Sequence, residues 1–281
     1  FFALFCCSRS FISFTTSGLE NPLLFLLGIL FFLVMFRNRN NEKYTSGELF
    51  FMAFLSGLIA MTRMDNILIY LPFLIYCFFF KKNKVGKFAA FFIGLAGVMP
   101  FIVWEIFSVI YYGFPFPNSF YTKLFTGIST TQYILKGLQY FMYSLLTDPA
   151  VVFIPLIYGV TGLAFVKDIR HKLLALGIIF YIFYVIRIGG DFMAGRHFTV
   201  IYIISACALI SIAPDINFVN IKSLCKVALH GLGDPLLSRI PSRPVNGVNW
   251  RIGHMTREIP EGYFESVQND TNEIKNESLK K

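Results

Sequence analysis

Long apolar runs alternate along this chain with short polar connections, and the runs fall near residues 22–36, 48–62, 66–80, 88–112, 150–166, 172–188 and 197–213. A straight bilayer crossing needs about 20 residues, so several runs must draw on flanking residues to reach across. Pro22 fits the first turn of the first run. Pro72, Pro100 and Pro155 lie inside runs and predict bends, which membrane bundles tolerate when neighbours re-satisfy the freed carbonyls. The segment 133–146 has a different pattern. Ile134, Leu138, Phe141, Met142 and Leu145 recur at helical spacing, with Gln132, Lys136 and Gln139 between them. That suits a helix lying in the interface plane, and a short buried helix is the open alternative. The pattern predicts an all-α fold: a polytopic transmembrane helix bundle over 1–213, with about seven crossings, a partial one at the N-terminal end and an interfacial helix near 133–146.

Composition supports that class. The chain is 56% hydrophobic and 15% charged, with 34 Phe, whereas charged residues make up about a quarter of a soluble domain. The net charge of +9 falls largely in short connections between apolar runs. There it is a topology signal, and no nucleic-acid partner is implied. The five cysteines form no C-x-x-C pair and mostly lie in apolar runs, so they read as small buried hydrophobes, with neither a zinc site nor a disulfide framework. No metal or cofactor is expected.

Loop charge sets the orientation, because Lys and Arg concentrate on the cytoplasmic side. The basic connections are Arg37 to Lys43, Lys81 to Lys87 and Lys167 to Lys172. If these are cytoplasmic and 133–146 does not cross, the connections 8–21, 62–65, 113–132 and 189–196 all lie outside. One external face then collects Glu20, Arg63, Asp65, Lys123, Asp191, Arg196 and His197. The last three belong to Arg187-Ile188-Gly189-Gly190-Asp191-Phe192-Met193-Ala194-Gly195-Arg196-His197, a charged, glycine-jointed island between two apolar runs, and ionisable groups so placed are functional-site candidates. Arginines and a lysine beside carboxylates at a bilayer surface suit a lipid-linked phosphate: guanidinium holds phosphate bidentately, lysine neutralises it and a carboxylate can activate a hydroxyl. The plainer alternatives are that Arg63 with Asp65, and Asp191 with Arg196, staple loop ends, and that Glu20 is a dipole-favouring acid at a helix N-terminus.

The motifs Thr16-Ser17-Gly18-Leu19-Glu20-Asn21-Pro22, Thr62-Arg63-Met64-Asp65, Tyr112-Gly113-Phe114-Pro115-Phe116-Pro117-Asn118-Ser119-Phe120-Tyr121-Thr122-Lys123 and Gly189-Gly190-Asp191-Phe192-Met193-Ala194-Gly195-Arg196 occur in that order. Together they resemble the membrane core of GT-C glycosyltransferases that use polyprenyl-phosphate sugars, most closely the cell-wall arabinofuranosyltransferase type. In the tail, Gly231-Leu232-Gly233-Asp234-Pro235-Leu236-Leu237 and Ile259-Pro260-Glu261-Gly262-Tyr263 resemble that group's extracytoplasmic C-terminal region. The resemblance implies a GT-C-like core in 1–213, a remnant of the extracytoplasmic region in 214–266 and a disordered tail in 267–281.

It also implies a polyprenyl-phosphate sugar donor, a glycan or lipid acceptor outside the cytoplasmic membrane, and membrane lipids as surroundings. In that implied site Arg196 and Lys123 bind the lipid phosphate and Asp191 orients them or the sugar. Glu20, Arg63, Asp65, Asn118, Tyr121 and His197 complete the substrate-binding set. The family's catalytic aspartate follows its first membrane helix, and no counterpart precedes Ser8, so the chain reads as a fragment whose base lay upstream. A further gap is expected between Ala213 and Gly231, where the seven-crossing count would leave the tail cytoplasmic. The rivals are a transporter or flippase for a lipid-linked substrate, and a non-functional truncated remnant. Against a transporter, the charges gather at helix ends on one side and no internal repeat is seen.

Overall fold

The computed structural model describes residues 8–37, 43–114 and 129–212, all within one compact unit. They form helices and no strand. The helices are α1 (Arg9–Thr16), α2 (Asn21–Phe36), α3 (Ser46–Thr62), α4 (Ile67–Ile75), α5 (Lys87–Gly97), α6 (Met99–Tyr112), α7 (Thr130–Thr147), α8 (Pro149–Ala164), α9 (Ile169–Arg187) and α10 (Phe198–Ile212). A 3₁₀ turn, Met64–Asn66, leads into α4, and a π turn, Tyr76–Phe80, follows it. The expected partial N-terminal helix and the tail 214–281 lie outside the described residues.

Local chemistry sets the starts. Pro22 occupies the first turn of α2, where its missing N–H costs nothing. Thr45 and Glu48 close a reciprocal capping box on α3. Ser129 caps α7 and Asp168 caps α9, each accepting from a backbone N–H two or three residues on. Gly113, at φ 77°, ends α6 in the left-handed region.

The prolines act differently from one another. Pro100 splits the run 88–112 into α5 and α6 with a bend of 53°. Pro72 lies inside α4, one turn before the helix loosens into its π turn. Pro155 produces no break, and α8 runs through it.

Among the described residues one helix, Ile169–Arg187, is long and apolar enough to cross a membrane alone, and the number rises to four if each bent pair of helices counts as one span. Ser46–Thr62, Met64–Phe80 and Phe198–Ile212 are apolar but shorter. A helix of 16 residues such as α2 rises only about 24 Å against a hydrocarbon thickness of about 30 Å. The seven separate crossings read from the runs are therefore not seen as seven full-length helices: most runs form helices of nearly their own length, already short of a straight crossing, and Pro100 breaks the longest run.

Helix α10 is buried throughout from Phe198 to Ala206 and packs against α1, α2, α8 and α9. The same core takes in Leu24 and Phe31 of α2, Leu49 and Met52 of α3, Tyr70 and Phe73 of α4, Val151 and Tyr158 of α8, and Ile178 and Tyr181 of α9, with α3 joined to it through α2 and α4 through α9. Backbones approach closely where a side chain is missing: Gly177 of α9 lies against the carbonyl of Ile69, and Gly137 of α7 against that of Ile186. Two helices run across the bundle. α1 meets α2 at 107° and α7 meets α8 at 110°.

Candidate functional site: a guanidinium and carboxylate cluster at one end of the bundle

The connections α1–α2, α3–α4 and α9–α10 converge, and they bring Glu20, Arg63, Asp65, Asp191, Arg196 and His197 together. Arg63 grips Asp65 through two bonds, Nε to Oδ1 at 3.0 Å and Nη2 to Oδ2 at 2.7 Å, and reaches Glu20 Oε1 with Nη1 at 3.4 Å. Arg196 donates from Nη2 to both Glu20 oxygens at 2.7 and 3.0 Å and from Nη1 to Asp191 Oδ2 at 3.1 Å. Glu20 thus bridges two arginines from different connections. It occupies the N-cap position of α2 but makes no capping bond there; its hydrogen bonds go to the two arginines.

His197 is buried and lies within the same network. Its Nδ1 is 2.6 Å from Arg63 Nη2 and 3.3 Å from the Tyr181 hydroxyl. A guanidinium can only donate, so Nδ1 is the acceptor and the ring proton belongs on Nε2. That nitrogen faces Asp191 Oδ2 at 3.9 Å, beyond hydrogen-bond reach. The six side chains then carry three negative and two positive charges.

Burial would raise the Glu20 carboxyl, but its backbone hydrogen bond, the Arg196 fork and the charges of Arg196 and Arg63 outweigh that and hold it below its usual value. Burial pulls the Arg63 guanidinium down, and its surroundings, Asp65 and Glu20 among them, pull it up by more, so it stays charged. One donor is left over: Arg196 Nε is buried and has no hydrogen-bond partner among the described residues.

The loop carrying Arg196 and His197 is held from behind by α7. The Tyr140 hydroxyl accepts from His197 N and donates to Met193 O, both at 3.3 Å, and Ser144 Oγ accepts from Gly195 N at 3.1 Å. One turn further, Asp148 Oδ2 accepts from Ser8 Oγ at 2.7 Å and Ser10 N at 2.8 Å, which ties the start of α1 to the α7–α8 corner. Gly190 and Gly195 have φ of 70° and 73°, and a Cβ on either would run into Tyr140 or Ser10 respectively. Those two positions need glycine twice over, for conformation and for space.

Tyr140, Ser144, Asp148 and Tyr181 carry no charge pattern or motif that marks them in the sequence. Tyr140, Ser144 and Asp148 are legible only as an i, i+4, i+8 spacing along α7 and its C-cap, which an amphipathicity reading passes over because none of these three is aliphatic, while Tyr181 lies within the apolar run of α9. Asn118, Tyr121 and Lys123 lie outside the described residues. No three His, Cys, Asp or Glu side chains among the described residues are arranged to hold a metal ion.

The opposite end is also ordered by charge. Arg170, read from the sequence as part of a plain basic loop, is buried. It bonds Asp168 Oδ2 from Nη2 at 2.7 Å, donates to Met35 O at 3.1 Å and lies over the Phe36 ring at 5.0 Å. Tyr44 donates to the same Met35 carbonyl at 2.7 Å. Both satisfy the end of α2, where carbonyls lack intrahelical partners.

In comparisons with known proteins, the chain matches no family model, no curated protein and no solved structure.

Proposed function

We propose that this chain is a multi-pass protein of the cytoplasmic membrane whose guanidinium and carboxylate cluster, on the external side, binds the phosphate of a polyprenyl-linked sugar. The intact protein passes that sugar to a glycan or lipid acceptor. The observation that carries the reading is the sharing of Glu20 by Arg63 and Arg196, together with the buried, unpartnered Nε of Arg196. Two forked guanidinium groups held rigid and partly out of water suit a phosphate, because each can offer parallel N–H donors. Glu20 and Asp191 compete for the Nη donors of Arg196, and an entering phosphate exchanges for one of them.

All three carboxylates are engaged by arginine. That suits them to orient the arginines, and Glu20, whose carboxyl is held below its usual value, is a poor proton acceptor. Membrane residence is supported by the outer surface. Leu23, Leu26 and Leu33 of α2, Phe79 and Phe80 after α4, Trp104, Ile106 and Ile110 of α6, and Phe180 and Phe183 of α9 are all exposed. Such wide apolar exposure would be an aggregation liability in water and is the ordinary surface of a bundle in lipid.

The test compares a polyprenyl phosphate with the corresponding polyprenol, each added to the full chain in lipid nanodiscs, with thermal stability as the readout. The phosphate should raise the unfolding temperature and the alcohol should not, since only a ligand of the folded state stabilises it. The double substitution Asp191→Asn with Arg196→Gln removes an ion pair without changing net charge, and it should abolish the difference. Equal shifts from the two lipids, or an undiminished phosphate effect in a folded double variant, would contradict the proposal.

A further inference from the structure

Helix α7 presents three distinct faces. Gly137, Tyr140 and Ser144 are buried, and with Asp148 they hold the loop of Arg196 and His197 and the start of α1. On the opposite side Leu135, Leu138, Met142 and Leu146 stand 54%, 42%, 50% and 54% exposed. Their spacing of three, four and four residues makes one straight stripe. Gln132, Lys136, Gln139 and Tyr143 follow the same spacing one sector round, between the stripe and the buried face.

A helix that crosses a bilayer has no use for a polar line along its whole length. α7 is turned 110° from α8, so when α8 stands upright α7 lies nearly flat. In that pose an outward apolar stripe beside a polar line with one lysine matches the boundary between acyl chains and headgroups. Lys136 can extend its amine to anionic headgroups while its methylenes stay with the stripe.

From this geometry we infer that α7 is docked on the lipid interface through Leu135, Leu138, Met142 and Leu146, and that its other face thereby holds the Arg196–His197 loop at a fixed depth. The occupant of the stripe is the bilayer itself. The inference rests on the membrane reading above and not on sugar transfer. It corrects the stripe expected from sequence: Phe141 and Leu145 pack half-buried against the core and Ile134 is half-buried, while Leu138 and Met142 remain outside.

The experiment uses the full chain in nanodiscs with lipids brominated at shallow or deep acyl positions. Native tryptophans are Trp104 and Trp250. With both changed to Phe, Met142→Trp and Lys136→Trp each supply one reporter, and a chain keeping only Trp104 serves as the reference for α6. The Met142→Trp reporter should be quenched several-fold more by shallow than by deep bromines and only weakly by acrylamide, whereas Lys136→Trp should favour acrylamide. Quenching of the Met142→Trp reporter by acrylamide but not by bromolipid means that the stripe faces water. Quenching by neither means that a second copy or another protein covers it, and either result overturns the inference. If Trp104 responds to bromolipid while the Met142→Trp reporter does not, only the docking of α7 fails. If Trp104 is also silent, the membrane reading fails with it.

Discussion

Arg196 holds two carboxylates at once, Glu20 through Nη2 and Asp191 through Nη1, and a lysine cannot reproduce that fork. Arg196→Lys should therefore weaken the folded chain by about 1 kcal/mol. Arg196→Ala, which leaves Glu20 and Asp191 short of partners, should cost on the order of 1–3 kcal/mol in a denaturation series. Glu20 adds a pH dependence of definite sign. Its carboxyl is held below the ordinary value, so the folded state binds its proton less readily than the unfolded state. The resulting stabilisation is complete above the ordinary carboxyl value of about 4.5 and is lost as pH falls through the depressed one. Glu20→Gln should flatten that acid limb while leaving the profile near neutrality parallel to wild type. An unchanged limb would show that Glu20 is not the group responsible.

At the scale of elements, close backbone approach decides which small residues cannot grow. Gly177→Ala would place a methyl against the Ile69 carbonyl where α9 meets α4, and Gly137→Ala would do the same at Ile186 where α7 meets α9. Each should lower stability by about 1–3 kcal/mol, the range for overpacking in a close-packed interior, whereas Gly47→Ala, in open space in the first turn of α3, should not lower it.

Most helices were legible because an uninterrupted apolar run and a capping residue give the same answer. α2 between Pro22 and Phe36, and α3 behind its Thr45 capping box, are examples. Less legible was how far each helix runs, since Pro100 breaks one and Pro155 does not. The difference is set by neighbours. The inner face of α7 escaped notice for a related reason, because what buries it is a glycine, a tyrosine, a serine and an aspartate meeting backbone groups of another loop.

For the whole molecule, loop charge alone was enough to gather Glu20, Arg63, Asp65, Asp191, Arg196 and His197 onto one face, and the described structure brings those six into contact. What the topology rule does not supply is who bonds whom. Glu20 as a bridge, and His197 as acceptor for Arg63, depend on side-chain directions that no charge count contains. Nor does it separate Arg170, buried in a clasp on Met35 and Phe36, from the exposed Lys167.

The central claim, that these helices cross a membrane with the cluster outside, is tested most directly by two-sided thiol labelling. In intact cells, and with the native cysteines replaced, Phe192→Cys beside the cluster and Lys82→Cys at the opposite end are each offered a membrane-impermeant maleimide. Both positions are exposed. A membrane-crossing bundle oriented by its basic connections predicts labelling of the Phe192→Cys variant at once and of the Lys82→Cys variant only after permeabilisation. Labelling of both from outside, or of the Lys82→Cys variant alone, would contradict it.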